Sequence, residues 1–312
     1  MSVDSMIRKA QGLAKAGDIK GAVALLRQVL TKSPGNKAAL RGLAVLARAR
    51  AGKAPPGGRP AAPARAPARR PANGAGPQPA AKVLRGLETL LKRPDPSAAI
   101  AEARRLSFLF PASAPVFNML GLALTKAGRF DDALPAFDRY ATLHPKSPAP
   151  RINKANVLLA AQRFEAAAEA AAEARALDPK LARAARLEGF ALSKAGRHDT
   201  AEAAFRAAIR LDPGAPQGHL GLGHVLSATQ RNDAALAAYR AALACDPVNA
   251  EAANNVGAML VSLGRLDEAV EILGPAIERH PGNRMLRSNM AKALHDLGRP
   301  DEARRHIDAA QE

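Results

Sequence analysis

The 312 residues include one cysteine, no tryptophan, two tyrosines and eight phenylalanines. With Cys245 alone, no disulfide forms within the chain, a usage that fits a reducing compartment. Aromatics at 3% cannot fill a conventional core, so small side chains, alanine above all, have to supply it. Cys245 stands where other stretches of similar pattern carry Leu143, Leu177 and Leu211, and is expected as a small buried hydrophobe. Long apolar runs are missing too. The longest uncharged stretch, residues 106–125, contains Pro111, Pro115 and Asn118, so no membrane-spanning helix is expected. Asp4, Arg8 and Lys9 interrupt the N-terminal residues, which argues against a signal peptide, and the protein is expected in the cytoplasm.

Acidic residues are scarce in the first quarter. Residues 1–81 carry fifteen Lys or Arg against two Asp, whereas residues 82–312 carry thirty-one against twenty-six. Most of the net charge of +18 therefore sits near the N-terminus. Chemistry-bearing clusters are absent as well. The seven histidines are scattered, and His219 and His224, five apart, do not share a helix face or have an acid at ligand spacing. No glycine-rich phosphate loop follows a strand. No catalytic, metal or cofactor site is expected, and the chain reads as non-enzymatic.

What is present is a period. Arg129, Arg163, Arg197, Arg231, Arg265 and Arg299 stand 34 residues apart, as do Ala133, Ala167, Ala201, Ala235, Ala269 and Ala303. Leu124, Leu158, Leu192, Leu226, Leu260 and Leu294 keep the same register, and Pro145, Pro179, Pro213, Pro247 and Pro281 close successive units. Each unit holds two apolar runs with helical spacing, as in Val256, Met259, Leu260 and Leu263, divided by a Gly-Arg or Gln-Arg turn. Gly128, Gly196, Gly264 and Gly298 occupy the place of a left-handed helix terminus. Gln162 and Gln230 replace glycine there, so those turns are expected to be strained or differently shaped. The acids Asp131, Glu165, Asp199, Asp233, Asp267 and Asp301 should oppose the positive start of each second helix, or cap it, and offset the arginine column. Gly121, Gly189, Gly223 and Gly257 are expected to face the alanine column, with Phe137, Phe205 and Tyr239 filling the gaps between units and Ala171 breaking that series.

The pattern divides the chain in three. Residues 1–50 hold one outlying unit, in which Gly17, Ala22 and Pro34 keep the internal spacing but lie out of register, followed by a further helix at 37–50. Residues 51–79 are rich in Pro, Ala, Gly and Arg without an acid and read as a disordered tether. Arg59, Arg65, Arg69 and Arg70 offer charge-only contacts to nucleic acid or an anionic membrane, but no aromatics accompany them to stack on bases, so a plain linker is the better reading. Residues 80–312 hold about seven units, with a degenerate opening at 80–111 and a polar last helix that can end the array unaided.

The 34-residue period, the small residue on each first helix, the Gly-Arg turn, the alanine column and the closing Asp178-Pro179, Asp212-Pro213 and Asp246-Pro247 resemble tetratricopeptide repeats. The resemblance implies an all-α solenoid of helix-turn-helix units wound as a right-handed superhelix. The large aromatic that often opens the first helix of such a repeat is present only as Phe117. The resemblance also implies a concave groove, lined by the first helices, that holds a peptide or extended protein segment. Its positions here would be Asn118, Lys126, Asn153, Asn156, Arg183, Arg186, Phe190, Lys194, His224, Asn254, Asn255, Asn289 and Lys292. Asparagines there can bond a peptide backbone, and Arg183, Arg186 and Lys194 would favour an acidic ligand. Some members clamp a chaperone's terminal carboxylate with two Lys, two Asn and an Arg. Only Asn153 and Arg183 match, while Asn118, Leu122 and Leu187 do not, so that clamp is not expected. Residues 103–134 are also similar to arrays that precede sulfotransferase or glycosyltransferase domains in bacterial proteins, which leaves recruitment of a separate transferase as a second reading.

Overall fold

The computed structural model describes residues 2–33, 36, 38–40, 42, 43, 46 and 78–311, all of whose regular structure is helical. The tether arginines Arg59, Arg65, Arg69 and Arg70, and most of the tether and of the helix expected at 37–50, lie outside the described residues. Contacts divide the chain into two compact units, residues 1–81 with 102–113, and residues 82–101 with 114–312.

In the first unit, α1 (Val3–Lys15) and α2 (Ile19–Lys32) form an antiparallel pair. Met6, Ile7, Ala10, Ala22, Leu26, Val29 and Leu30 make its core, joined by Ala39, Leu43 and Leu46 and flanked by Leu109. Asp18 caps α2, accepting the Gly21 N–H at 2.9 Å, which satisfies one of the donors a helix start leaves open. Next come α3 (Ala81–Lys92) and α4 (Ser97–Leu109), whose second half belongs to the first unit.

The second unit continues with six pairs: α5 (Ala114–Lys126) with α6 (Phe130–Leu143), α7 (Ala149–Ala160) with α8 (Phe164–Leu177), α9 (Ala182–Lys194) with α10 (His198–Leu211), α11 (Pro216–Ala228) with α12 (Asn232–Cys245), α13 (Ala250–Ser262) with α14 (Leu266–Arg279), and α15 (Arg284–Asp296) with α16 (Pro300–Gln311). Each second helix also packs on the next first helix. First helices touch one another as well: α5 meets α7, α7 meets α9, α9 meets α11, and α13 meets α15.

The recurring leucine and arginine are parts of one turn. Arg129 N–H donates to the Leu124 carbonyl and Gly128 N–H to that of Thr125, and the same two bonds recur at every turn through Arg299 to Leu294. This double closure satisfies orphan carbonyls at the helix end but needs a left-handed residue. Glycine takes it at Gly128, Gly196, Gly264 and Gly298 (φ +69° to +76°), and Gln162 and Gln230 take it at +57° and +60°. The glutamine turns are therefore not differently shaped. They keep the common bonds and bear the steric cost of a Cβ.

Arg129, Arg163, Arg197, Arg231 and Arg265, each after a left-handed residue, are the N-caps of their second helices and make no side-chain cap bond. The acidic column thus lies inside the first turn and does not cap it, as the sequence had allowed. Of that column Asp131 forms an ion pair, and three of the turn arginines close instead on the acid at the following position. Arg163 meets Asp131 of the preceding unit at 2.7 Å, and Arg129, Arg265 and Arg299 each fold onto the acid three residues ahead, Asp132, Glu268 and Glu302. Charges along this edge are therefore largely offset in exposed pairs of small energetic weight.

Packing inside the pairs differs from the sequence expectation. A Cβ on Gly121 would lie 2.5 Å from the Phe137 ring, one on Gly223 2.4 Å from Tyr239, and one on Gly257 2.5 Å from Leu273. These glycines seat the large residue of their own second helix, not the alanine column, and the rings are not confined to gaps between units. Where Ala171 replaces the ring, Ala155 replaces the glycine, and Leu187 packs from the next first helix. Volume is thus conserved by exchanging large and small partners, as a close-packed interior requires. Cys245 is half-buried, not a core residue, because its column lies at the exposed end of the second helices, where Leu177 and Leu211 are also exposed. In α16, polar as expected, Ile307 of the ring column remains 48% exposed. Among the described residues no helix is long and apolar enough to cross a membrane.

Candidate partner-binding face

The face that first helices share can be followed column by column. One column runs Leu122, Asn156, Phe190, His224, Ala258 and Lys292. Leu122 and Phe190 are 41% and 45% exposed, and His224 and Lys292 are exposed too. Among the described residues nothing packs over these two large apolar side chains of one register enough to bury them. Leu122, two repeats before Phe190, entered the sequence reading only as a departure from the carboxylate clamp.

Several expected groove residues have other work. Asn153 Nδ2 donates to Asn118 Oδ1 at 2.8 Å, and Asn289 Nδ2 to Asn254 Oδ1 at the same distance. Each bridge joins consecutive units across 35 residues, and the two are related by four repeats. Asn254 is buried at 6% exposure, so it is a structural residue and not a groove surface. Lys126 is exposed, but its ammonium reaches back to the carbonyls of Leu91, at 3.0 Å, and Arg93, where it meets the negative end of α3. Lys292 sits apart, in a cleft of about 810 Å³ between α15 and α16 with His295, Arg304 and Ile307. Asn156 is half-buried beside the exposed column.

The remaining residues gather on α9 and α11. Arg183, Arg186, Phe190 and Lys194 follow one another at intervals of three, four and four residues along one stripe of α9. Arg186 Nη1 donates to Gln217 Oε1 at 3.0 Å, and Lys194 Nζ lies 5.5 Å from the centre of the Phe190 ring. Among the described residues none of the three cations pairs with a carboxylate. The nearest acid on the helix, Glu188, turns to Arg175 of α8 at 2.7 Å.

His224 completes this region. Its ring meets Tyr239 edge-on at 5.5 Å, and its Nε2 lies 3.1 Å from Asn255 Nδ2, a bond in which the amide donates to a neutral imidazole. Packing against these neighbours lowers the His224 pKa below its ordinary value, Lys194 acts in the same direction and Glu251 against it. Burial likewise pushes the Tyr239 phenol up to about 12. The region thus presents cations and an exposed ring but no acid–base pair poised for proton transfer. A second depression of about 520 Å³, at Arg129, Asp131, Gln162 and Arg163, lies on the turn edge, where its charges face one another.

Family models described as tetratricopeptide repeat match residues 7–73, 88–148 and 220–283, a second such model residues 124–189 and 260–312, and a third residues 187–214. The first alone spans more than half of the chain. No curated protein sequence matches. Among solved structures, Pseudomonas aeruginosa pilF aligns at TM-score 0.54 and 17% identity over 68% of this chain and 96% of its own. The APC/C hetero-tetramer Cut9-Hcn1 aligns at 0.54 and 15% over 98% and 52%. YrrB, described as a TPR protein with an unusual peptide-binding site, aligns at 0.47 and 24% over 57% and 91%.

Proposed function

The chain belongs to the tetratricopeptide repeat family, and from that premise we propose that it is a non-enzymatic interaction scaffold that holds an acidic, extended protein segment on the face shared by its first helices. In this reading the array at 80–312 is the binding part, and residues 1–50 and 51–79 keep the roles the sequence suggests for them, a helical unit and a tether. The reading is carried by the α9 stripe. Among the described residues, Arg183, Arg186 and Lys194 stand without a carboxylate partner around an exposed Phe190. Charge-assisted bonds to a carboxylate are stronger than neutral ones, and an exposed ring beside them supplies apolar area.

A random-peptide display selection on the full chain tests it, alongside a variant carrying Arg183→Glu, Arg186→Glu and Lys194→Glu. Acidic peptides are expected to be enriched near physiological salt and lost in the variant, because contacts by charge alone already fade between about 50 and 200 mM salt. Enrichment that the variant leaves unchanged, or no enrichment, overturns the proposal.

A further inference from the structure

In their own columns Arg183, Arg186 and Lys194 have no cation beside them on the adjacent first helices, α7 and α11, while Lys126 and Lys292 stand two and three repeats away. In the column of Arg183 the neighbouring first helices carry Ala149 and Gln217. In that of Arg186 they carry Ile152 and Leu220, and in that of Lys194 Ala160 and Ala228. A segment that crossed the helices through Phe190 would meet Asn156 and His224, neither of them an opposing charge. A segment that runs along α9 meets Arg186, Phe190 and Lys194 in turn.

The spacing of these three is specific. Four residues of helix advance about 6 Å, so Arg186, Phe190 and Lys194 are evenly placed along the axis. In an extended strand, side chains two apart point to the same side and lie about 6.6 Å from one another. The two periods agree to within a tenth over this span. We propose that the bound segment is an extended strand lying along α9, with an acidic residue, a large apolar residue and a second acidic residue at alternate positions. The apolar side chain rests on Phe190 and the edge of His224, and its flanking carboxylates meet Arg186 and Lys194. Arg183, three residues before Arg186, accepts a further acid upstream. This inference rests on the groove reading above and adds a register to it.

Two labelled peptides of identical composition test the register by fluorescence anisotropy with the full chain. One carries Glu-Ala-Phe-Ala-Glu and the other Glu-Glu-Phe-Ala-Ala, each between Ser-Gly flanks. The alternating peptide is expected to bind about tenfold more tightly. The preference should vanish in Phe190→Ala and in Lys194→Gln, both of which change exposed residues. A single-stranded oligonucleotide serves as third probe, since it also offers negative charge and flat rings. Equal binding of the two peptides, or tighter binding of the oligonucleotide than of either, overturns the inference. If the peptides bind equally and the triple charge reversal abolishes both, the acidic groove stands and the register falls. If neither binds while the display selection still returns ligands sensitive to the triple variant, the outcome is the same. An empty selection removes the groove as well.

Discussion

The ring of Phe205 occupies the space that a side chain on Gly221 would need: a Cβ there would lie 2.1 Å from the ring, against 3.1 Å for one on Gly189 of its own pair. Gly221→Ala is therefore expected to destabilise by about 1–3 kcal/mol of overpacking, offset by about 1 kcal/mol of helix propensity. Gly189→Ala should be milder. Phe205→Ala should cost about 3–5 kcal/mol, and adding Gly221→Leu should recover part of it by copying the neighbouring Ala171 and Leu187. Urea unfolding followed by circular dichroism measures all four. Equal losses for the two glycine variants, or no recovery in the double variant, would refute the packing account.

Gln162→Gly and Gln230→Gly are expected to stabilise the array. A side chain in the left-handed region costs about 1–2 kcal/mol, and the added freedom of glycine in the unfolded chain returns about 0.4–1 kcal/mol of that. Each change should thus gain up to about 1.6 kcal/mol, seen as a higher melting temperature. Gln→Ala at the same positions keeps the Cβ and should gain nothing.

The asparagine bridges should show coupling. Asn254→Ala leaves the Asn289 amide without its acceptor and should cost about 1–3 kcal/mol, the desolvation of an unsatisfied group. A double-mutant cycle over Asn254 and Asn289 should give about 1 kcal/mol of interaction, and one over Asn118 and Asn153 a similar value. Additive single effects would mean that the bridges form no net bond.

Glu202 titrates with a sign that can be worked out. It is 7% exposed in a column where other pairs carry Leu134, Ala168, Leu236 and Val270. The Arg231 guanidinium holds its carboxyl below the ordinary value of 4.5, with Arg206 assisting. A lowered folded value means that the stabilisation is fully present above the unfolded pKa and is lost as pH falls through the folded one. Glu202→Gln should therefore flatten the loss of stability below about pH 4.5 and lower stability at neutral pH. Unfolding free energies at pH 3, 4, 5 and 7 decide it, and an unchanged slope in the variant would exclude the role.

Much of this fold was legible from the period. Residues that recur every 34 positions do so because each solves the same local problem, such as the Leu124 carbonyl that Arg129 closes. Partners of unlike residue types in different columns were harder to see. That Gly121 faces Phe137 and not Ala133 follows from how two helices cross, which column identity does not encode. The contacts of Lys126 were not legible because its partners are backbone carbonyls, and these carry no sequence signature. The asparagine bridges did leave a trace, since 118 to 153 and 254 to 289 are both one repeat plus one residue.

The exchange of large and small partners gives the units an order. Removing residues 148–181 would set Phe137 against Leu187, bulk upon bulk, while removing residues 182–215 would leave Ala171 facing Gly221 across a void. Units that look alike by their turns are therefore not exchangeable, and shortening or shuffling the array succeeds only at joints where the sizes happen to match.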